Sequence, residues 1–129
     1  MDTLELIEDT VLGFGFSIIE EDDEHVEFRF QLNKIYAWKD AGDEHFVSFV
    51  LLNFADVSED NYLEVLQRCD QLNREMKQVK LYVMDKSNLM ASSEFYYRSE
   101  EDFAYFAKMA LDGLVSAKKR YREMEQGVR

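Results

Sequence analysis

Ser58-Glu59-Asp60-Asn61-Tyr62-Leu63-Glu64-Val65-Leu66-Gln67-Arg68-Cys69-Asp70-Gln71-Leu72-Asn73-Arg74-Glu75-Met76 reads as a helix, and the residues from Val79 to Tyr97 that follow it read as two strands. Ser58 offers a hydroxyl to free backbone N–H groups, and Glu59 and Asp60 set negative charge beside the positive end of the helix dipole. Tyr62, Leu66, Cys69, Leu72 and Met76 recur at steps of three and four and form one apolar stripe, with Glu64, Gln67, Arg68, Asp70 and Arg74 off it. At Val79 the period changes to two. Val79, Leu81 and Val83 alternate with Lys80, Tyr82 and Met84, as in a strand with one face on a core. Asp85-Lys86-Ser87-Asn88 supplies the turn, and Leu89 to Tyr97 the returning strand, rich at its end in aromatics that suit a pleated surface. A helix is thereby expected to lie against a hairpin.

The pattern extends in both directions. Ser99 followed by Asp102 forms a capping-box pattern, and Phe103, Phe106, Ala110, Leu114, Ala117, Tyr121 and Met124 carry a helical stripe from there almost to the end. Gly113 within it costs about 1 kcal/mol against alanine unless something packs close to it. Toward the N-terminus, Leu4, Ile7, Val11 and Leu12 predict a short amphipathic helix ended by Gly13. Phe14 to Ile19 predicts a strand, and the acidic run Glu20 to Glu24 a connection. From His25 the alternation puts Val26, Phe28, Phe30 and Leu32 on one face and Glu27, Arg29, Gln31 and Asn33 on the other. Ile35 to Trp38 is a shorter strand. After the turn at Asp40-Ala41-Gly42-Asp43, the almost wholly apolar run His45 to Phe54 predicts a central strand covered on both sides. The class is α+β: one antiparallel sheet with flanking helices in the order α-β-β-β(-β)-α-β-β-α.

With 129 residues, 47% of them hydrophobic, the chain suits one domain with its own core, spanning residues 1–129. Cys69 is the only cysteine, which excludes an intrachain disulfide and suits a reducing compartment. The first residues lack the basic and apolar regions of a secretory signal, and no long uncharged apolar run could cross a bilayer, so a cytoplasmic location without membrane association is expected. The formal net charge is −12. Acid dominates the stretch before residue 61, where only Arg29, Lys34 and Lys39 oppose it. Such a surface repels phosphate backbones, which argues against nucleic acid as a partner. Lys118, Lys119, Arg120 and Arg122 cluster near the end of the last helix, where cations complement its negative pole.

Little in the chain points to chemistry. Asp23-Glu24-His25-Val26 and Asp43-Glu44-His45-Phe46 both open strands, which makes His25 and His45, with neighbouring carboxylates, the candidate metal ligands. In a meander these strands would run the same way with one between them, about 10 Å apart, too far for both rings to meet one ion without bending inward. Cys69 sits on the apolar stripe with nothing beside it in sequence to activate a thiolate. The acidic run lacks the glycine and spacing of a calcium loop, and the sequence contains no phosphate-binding glycine loop, dinucleotide fingerprint or nucleophile elbow. No catalytic residue and no cofactor is therefore assigned. Phe95, Tyr96, Tyr97 and Tyr105 crowd the junction of the last strand and last helix beside Phe103 and Phe106, and helical spacing cannot bury them all. They are the candidate partner-binding residues, since tyrosine suits surfaces with one dry and one wet side.

Leu72-Asn73, then Val79-Lys80-Leu81-Tyr82-Val83 with its polar turn, Glu94-Phe95-Tyr96, and the helix from Glu101-Asp102-Phe103 onward resemble the YbjN-like family of bacterial proteins, described as sensory transduction regulators and similar in fold to type III secretion chaperones. The likeness covers about the last 80 residues by motif and the first part by element order. This chain differs in an additional strand before the middle helix and in having Asp85-Lys86-Ser87-Asn88 where such proteins often have an Asp-Gly turn. The resemblance implies a small non-enzymatic module that binds another protein, or a second copy of itself as a homodimer, through an exposed sheet face or edge. The competing reading is a small ligand- or metal-binding domain or enzyme with a deep polar pocket between the sheet and the last helix.

Overall fold

The computed structural model describes residues 2–127. The elements run α1 (Thr3–Gly13), β1 (Ser17–Glu21), β2 (His25–Phe30), β3 (Asn33–Asp40), β4 (Asp43–Leu51), α2 (Tyr62–Glu75), β5 (Lys80–Met84), β6 (Asn88–Tyr96) and α3 (Glu100–Glu125). The six strands form one sheet in the order β1-β2-β3-β4-β6-β5, every neighbouring pair antiparallel. This is the expected α+β arrangement.

All three helices bury their apolar stripes on the same face of the sheet. Val26, Phe28 and Phe30 of β2, Ile35 and Ala37 of β3, Val47, Phe49 and Leu51 of β4, Leu81 of β5, and Leu89, Ala91 and Phe95 of β6 meet Ile7 and Val11 of α1, Val65 and Leu72 of α2, and Phe103, Leu111, Leu114 and Tyr121 of α3. Edge-to-face contacts of Phe95 and Tyr97 with Phe103 knit β6 to α3. The N-terminus of α1 is tied down by a buried hydroxyl pair, Thr3 Oγ1 lying 2.7 Å from the Tyr97 hydroxyl and donating to the Glu44 carbonyl.

Several boundaries differ from the expectation, each for an identifiable reason. The middle helix starts at Tyr62, because the Asn61 side chain turns back to accept from the Ser58 N–H and to donate to the Asp56 carbonyl, fixing residues 56–61 as a loop. Its buried residues are Val65, Cys69 and Leu72, so the stripe is rotated from the expected one and Leu66 is 38% exposed. β1 begins at Ser17 because α1 runs on through Gly13, and Glu20 and Glu21 belong to the strand. Leu32 is no core residue. Phe30 pairs with Asn33, so Gln31 and Leu32 are the two central residues of a tight hairpin, both at positive φ (48° and 67°), and Leu32 is 91% exposed. Asn33 is correspondingly buried, donating to the Phe30 and Gln31 carbonyls and accepting from Lys118 Nζ at 2.6 Å. β4 is central but covered by helices on one side only. Asp85 and Lys86 also take positive φ, with the Ser87 N–H bonded to the Met84 carbonyl, so the β5–β6 turn attains its mirror-image form without glycine.

The capping box of α3 is formed: Ser99 Oγ accepts from the Asp102 N–H and Asp102 Oδ1 accepts from the Ser99 N–H. Gly113 also finds its reason. A Cβ there would lie 2.9 Å from Val79 Cγ2, closer than side chains pack. Cys69 packs as a small residue of the core, and burial pushes its thiol up to about 11.

Candidate protein-binding surface

Because the helices share one side, the alternate residues of every strand emerge on a face that no helix covers. Cross-strand partners there run Glu27–Tyr36–Val50–Ser92–Lys80 in one row and His25–Trp38–Ser48–Glu94 in the next, with Phe46 beside Tyr96 beyond. Tyr36, Trp38, Phe46 and Met90 are half-buried, and Tyr96 is 66% exposed. His25 stacks on Trp38 at 4.3 Å between ring centroids, and Phe46 lies 4.9 Å from Tyr96. These rings leave part of their apolar surface uncovered, most of all at Tyr96.

Charge is managed within this face. Glu27 is buried among its neighbours, with Lys34 Nζ 3.6 Å from its carboxylate. Burial, followed by the nearby Glu27 charge, raises the Tyr36 hydroxyl above its ordinary range. Lys80 and Glu94 pair across β5 and β6 at 3.2 Å. At the far end of the face a shallow hollow of about 310 Å³ is lined by Leu52, Asn53, Met84, Asp85, Asn88 and Met90.

The two sheet edges are treated differently. On β5, Asn73 of α2 accepts from the Leu81 N–H at 2.7 Å and donates to the Leu81 carbonyl at 3.0 Å, occupying that edge with a side chain that mimics a neighbouring strand. On the other side, β1 is bordered only by β2 and carries a register shift between Ile18 and Glu20.

The candidates from the sequence separate sharply on this frame. His25 stands on the helix-free face with Trp38, whereas His45 packs edge-on against Tyr97 on the helix side, their ring centroids 5.2 Å apart. The sheet lies between the two rings and does not bring them together. The Asp22 carboxyl is held low mainly by the Glu24 N–H, against partial desolvation, with further help from His25. Among the described residues no group of three or more His, Cys, Asp and Glu side chains is placed to hold a metal ion. Phe95 and Tyr97 are buried in the core on the helix side. Tyr96 does emerge on the open face, while Tyr105, 64% exposed, projects from α3 on the opposite side of the sheet. Tyr36, Trp38 and Phe46 complete the aromatic surface and were not singled out by sequence reading. Their signal was the alternation of Tyr36 and Trp38 with Ile35 and Ala37, two apolar faces on one strand.

A groove of about 490 Å³ lies between the ends of α2 and α3, lined by Gln71, Leu72, Glu75, Arg120, Glu123 and Met124, with Glu75 and Arg120 paired across it. It separates two helices rather than the sheet from the last helix. No helix among the described residues is long and apolar enough to cross a membrane.

No protein-family model matches the sequence, and no curated protein matches it. Solved structures do. YbjN from E. coli matches with a TM-score of 0.72 at 13% identity, over 94% of this chain and 92% of that one. A chain of the heterodimeric ExoU–SpcU complex from the type III secretion system of Pseudomonas aeruginosa matches with a TM-score of 0.66 at 18% identity, over 89% and 93%. The structure of the Yersinia pestis type III secretion chaperone SycH in complex with a stable fragment of YscM2 matches with a TM-score of 0.56 at 12% identity, over 88% and 97%. This chain has the fold common to YbjN and the type III secretion chaperones.

Proposed function

We propose that this chain is a non-enzymatic, chaperone-like or regulatory protein-binding module of the cytoplasm, which holds an extended segment of another protein on its helix-free sheet face. The observation that carries the reading is a cluster of rings in two neighbouring cross-strand rows, Trp38 in one and Phe46 with Tyr96 in the next, on the face that no helix covers. The β1 edge supports a protein-binding role as well, since an extended segment adding there would continue the sheet. The fold is also that of proteins whose structures were solved as complexes with other proteins. A second copy of this chain is the other protein such a face could receive.

Affinity capture from the source organism, run side by side with wild type and the Tyr96→Asp variant, tests this. A stoichiometric partner held by wild type and lost by the variant is the expected result, with the mass of the captured complex telling a client from a second copy. A wild-type sample that is monomeric and brings down nothing in stoichiometric amount overturns the reading. So does a partner that Tyr96→Asp retains in full.

A further inference from the structure

Where β2 and β4 begin, the helix-free face ends in a shelf of four rings, His25 on Trp38 and Phe46 on Tyr96. Two turns frame this shelf. One joins β1 to β2 through Asp22, Asp23 and Glu24, directly after Glu20 and Glu21; the other joins β3 to β4 and carries Asp40, Asp43 and Glu44. They stand at the same end of the sheet, since β2 and β4 run the same way on either side of β3, about 10 Å apart. Neither stretch contains a lysine or arginine; Lys39 stands immediately before the second.

Part of this acid is used internally. Asp22 Oδ1 accepts from the Glu24 and His25 N–H groups and lies 2.9 Å from His25 Nδ1, Asp40 Oδ2 accepts from the Gly42 N–H, and Asp43 Oδ1 accepts from the His45 N–H. The Asp23 and Glu24 side chains are exposed and form no hydrogen bond or ion pair with another described residue. The chain thus presents aromatic rings bordered by anions, of which the Asp23 and Glu24 carboxylates have no partner among the described residues. Aromatic faces attract cations, and lysine and arginine lay apolar stems on such rings while their charged heads reach outward.

Resting on the reading of this face as protein-binding, we infer that its occupant at the Trp38 end is an extended peptide segment carrying lysine or arginine among aliphatic residues. The stems lie on Trp38, Phe46 and Tyr96, and the cationic heads point to the carboxylates of the two turns. An acidic or nucleic-acid partner is repelled there.

Trp38 is the only tryptophan, so its emission reports occupancy of this shelf alone. Two short synthetic peptides, capped at both ends, serve as probes for the full chain: one alternates arginine with valine, the other glutamate with valine. The arginine peptide is expected to shift Trp38 emission saturably at low salt and the glutamate peptide to leave it unchanged. Tyr96→Ser, and separately the pair Asp23→Asn with Glu24→Gln, should each weaken the arginine peptide about tenfold, the size of one or two lost cation contacts. The pair Glu59→Gln with Asp60→Asn removes the same charge at the other end of the sheet, beside Lys86, and should leave affinity unchanged. Circular dichroism checks that every variant stays folded.

Equal weakening by the distant pair, undiminished binding by Tyr96→Ser, or equal response to both peptides would reduce the effect to general attraction and overturn the inference. If both peptides are inert while a natural partner is still lost with Tyr96→Asp, the inference fails and the protein-binding reading stands. If that partner is indifferent to Tyr96→Asp as well, both fall together.

Discussion

Gly113 is the position where two opposed effects can be weighed by sign. Alanine at an interior helical site gains about 1 kcal/mol over glycine from propensity alone. Here the added methyl would meet Val79 Cγ2 at 2.9 Å, and Val79 is a buried, stiff, β-branched residue with little freedom to move aside. Forcing a methyl into a packed site costs about 1–3 kcal/mol, so Gly113→Ala should destabilise the fold by about 1 kcal/mol in chemical denaturation. In a Val79→Ala background the same change should stabilise, because only the propensity gain remains. A stabilising effect in both backgrounds would mean that the contact is soft. The sequence stated the question at Gly113 but could not answer it, since the neighbour belongs to the entry of β5, far along the chain. Asn73 is a similar case. Nothing beside it in the sequence marks a role, and only the packing of α2 beside β5 makes it the partner of the Leu81 backbone.

Among the elements, the β2–β3 hairpin is the one whose local chemistry disagrees with its shape. Its central residues Gln31 and Leu32 both sit at positive φ, where a side chain other than glycine, asparagine or aspartate is strained, and Leu32 gains nothing from burial in return. Replacing Gln31-Leu32 by Asn-Gly should therefore raise stability by about 1 kcal/mol, read as a higher denaturation midpoint with an unchanged slope. A lower midpoint would show that Leu32 has a packing role. The same disagreement hid the hairpin in the sequence: without glycine or asparagine the alternation of β2 reads straight through Leu32 to Asn33. Long, strongly periodic elements were legible, as in α3 with its capping box and in the core face of β4. Boundaries set by a single polar side chain were not, as where Asn61 delays α2 or where α1 runs on to displace β1. The binding face was half legible. Strand alternation separates Tyr96 from Phe95 and Tyr97, but which of two apolar faces the helices cover is decided by packing, and the sequence carries no local mark of it.

The molecule as a whole is an anion whose excess charge is gathered in its first half, and this sets two responses to salt that run in opposite directions. Its ion pairs are largely exposed pairs such as Arg74 with Asp70 and Lys108 with Asp112, each worth about 0–1 kcal/mol. Against them stands the repulsion within a chain of formal net charge −12, for which Glu8 and Glu21 are a local instance. The Glu8 carboxyl is pushed above its ordinary range mainly by its hydrogen bond and charge contact with Glu21, so this contact favours the fold at low pH and loses that contribution as pH rises through the raised value. At the capped start of α3 the sign is reversed. Partial desolvation pushes Asp102 up, but the Ser99 and Arg98 N–H groups and the Arg98 guanidinium hold it low overall, and its contribution, present above the ordinary carboxylate range, is lost on acidification. With a formal net charge of −12 and ion pairs this exposed, repulsion is expected to outweigh the pairs at neutral pH. Raising ionic strength from about 0.01 M to about 0.15 M shortens the Debye length from about 30 Å to about 8 Å. The melting temperature should rise over that interval, while the affinity of the Trp38 shelf for the arginine peptide should fall. A fold that melts earlier as salt is added would show that the exposed pairs, not the repulsion, dominate its electrostatics.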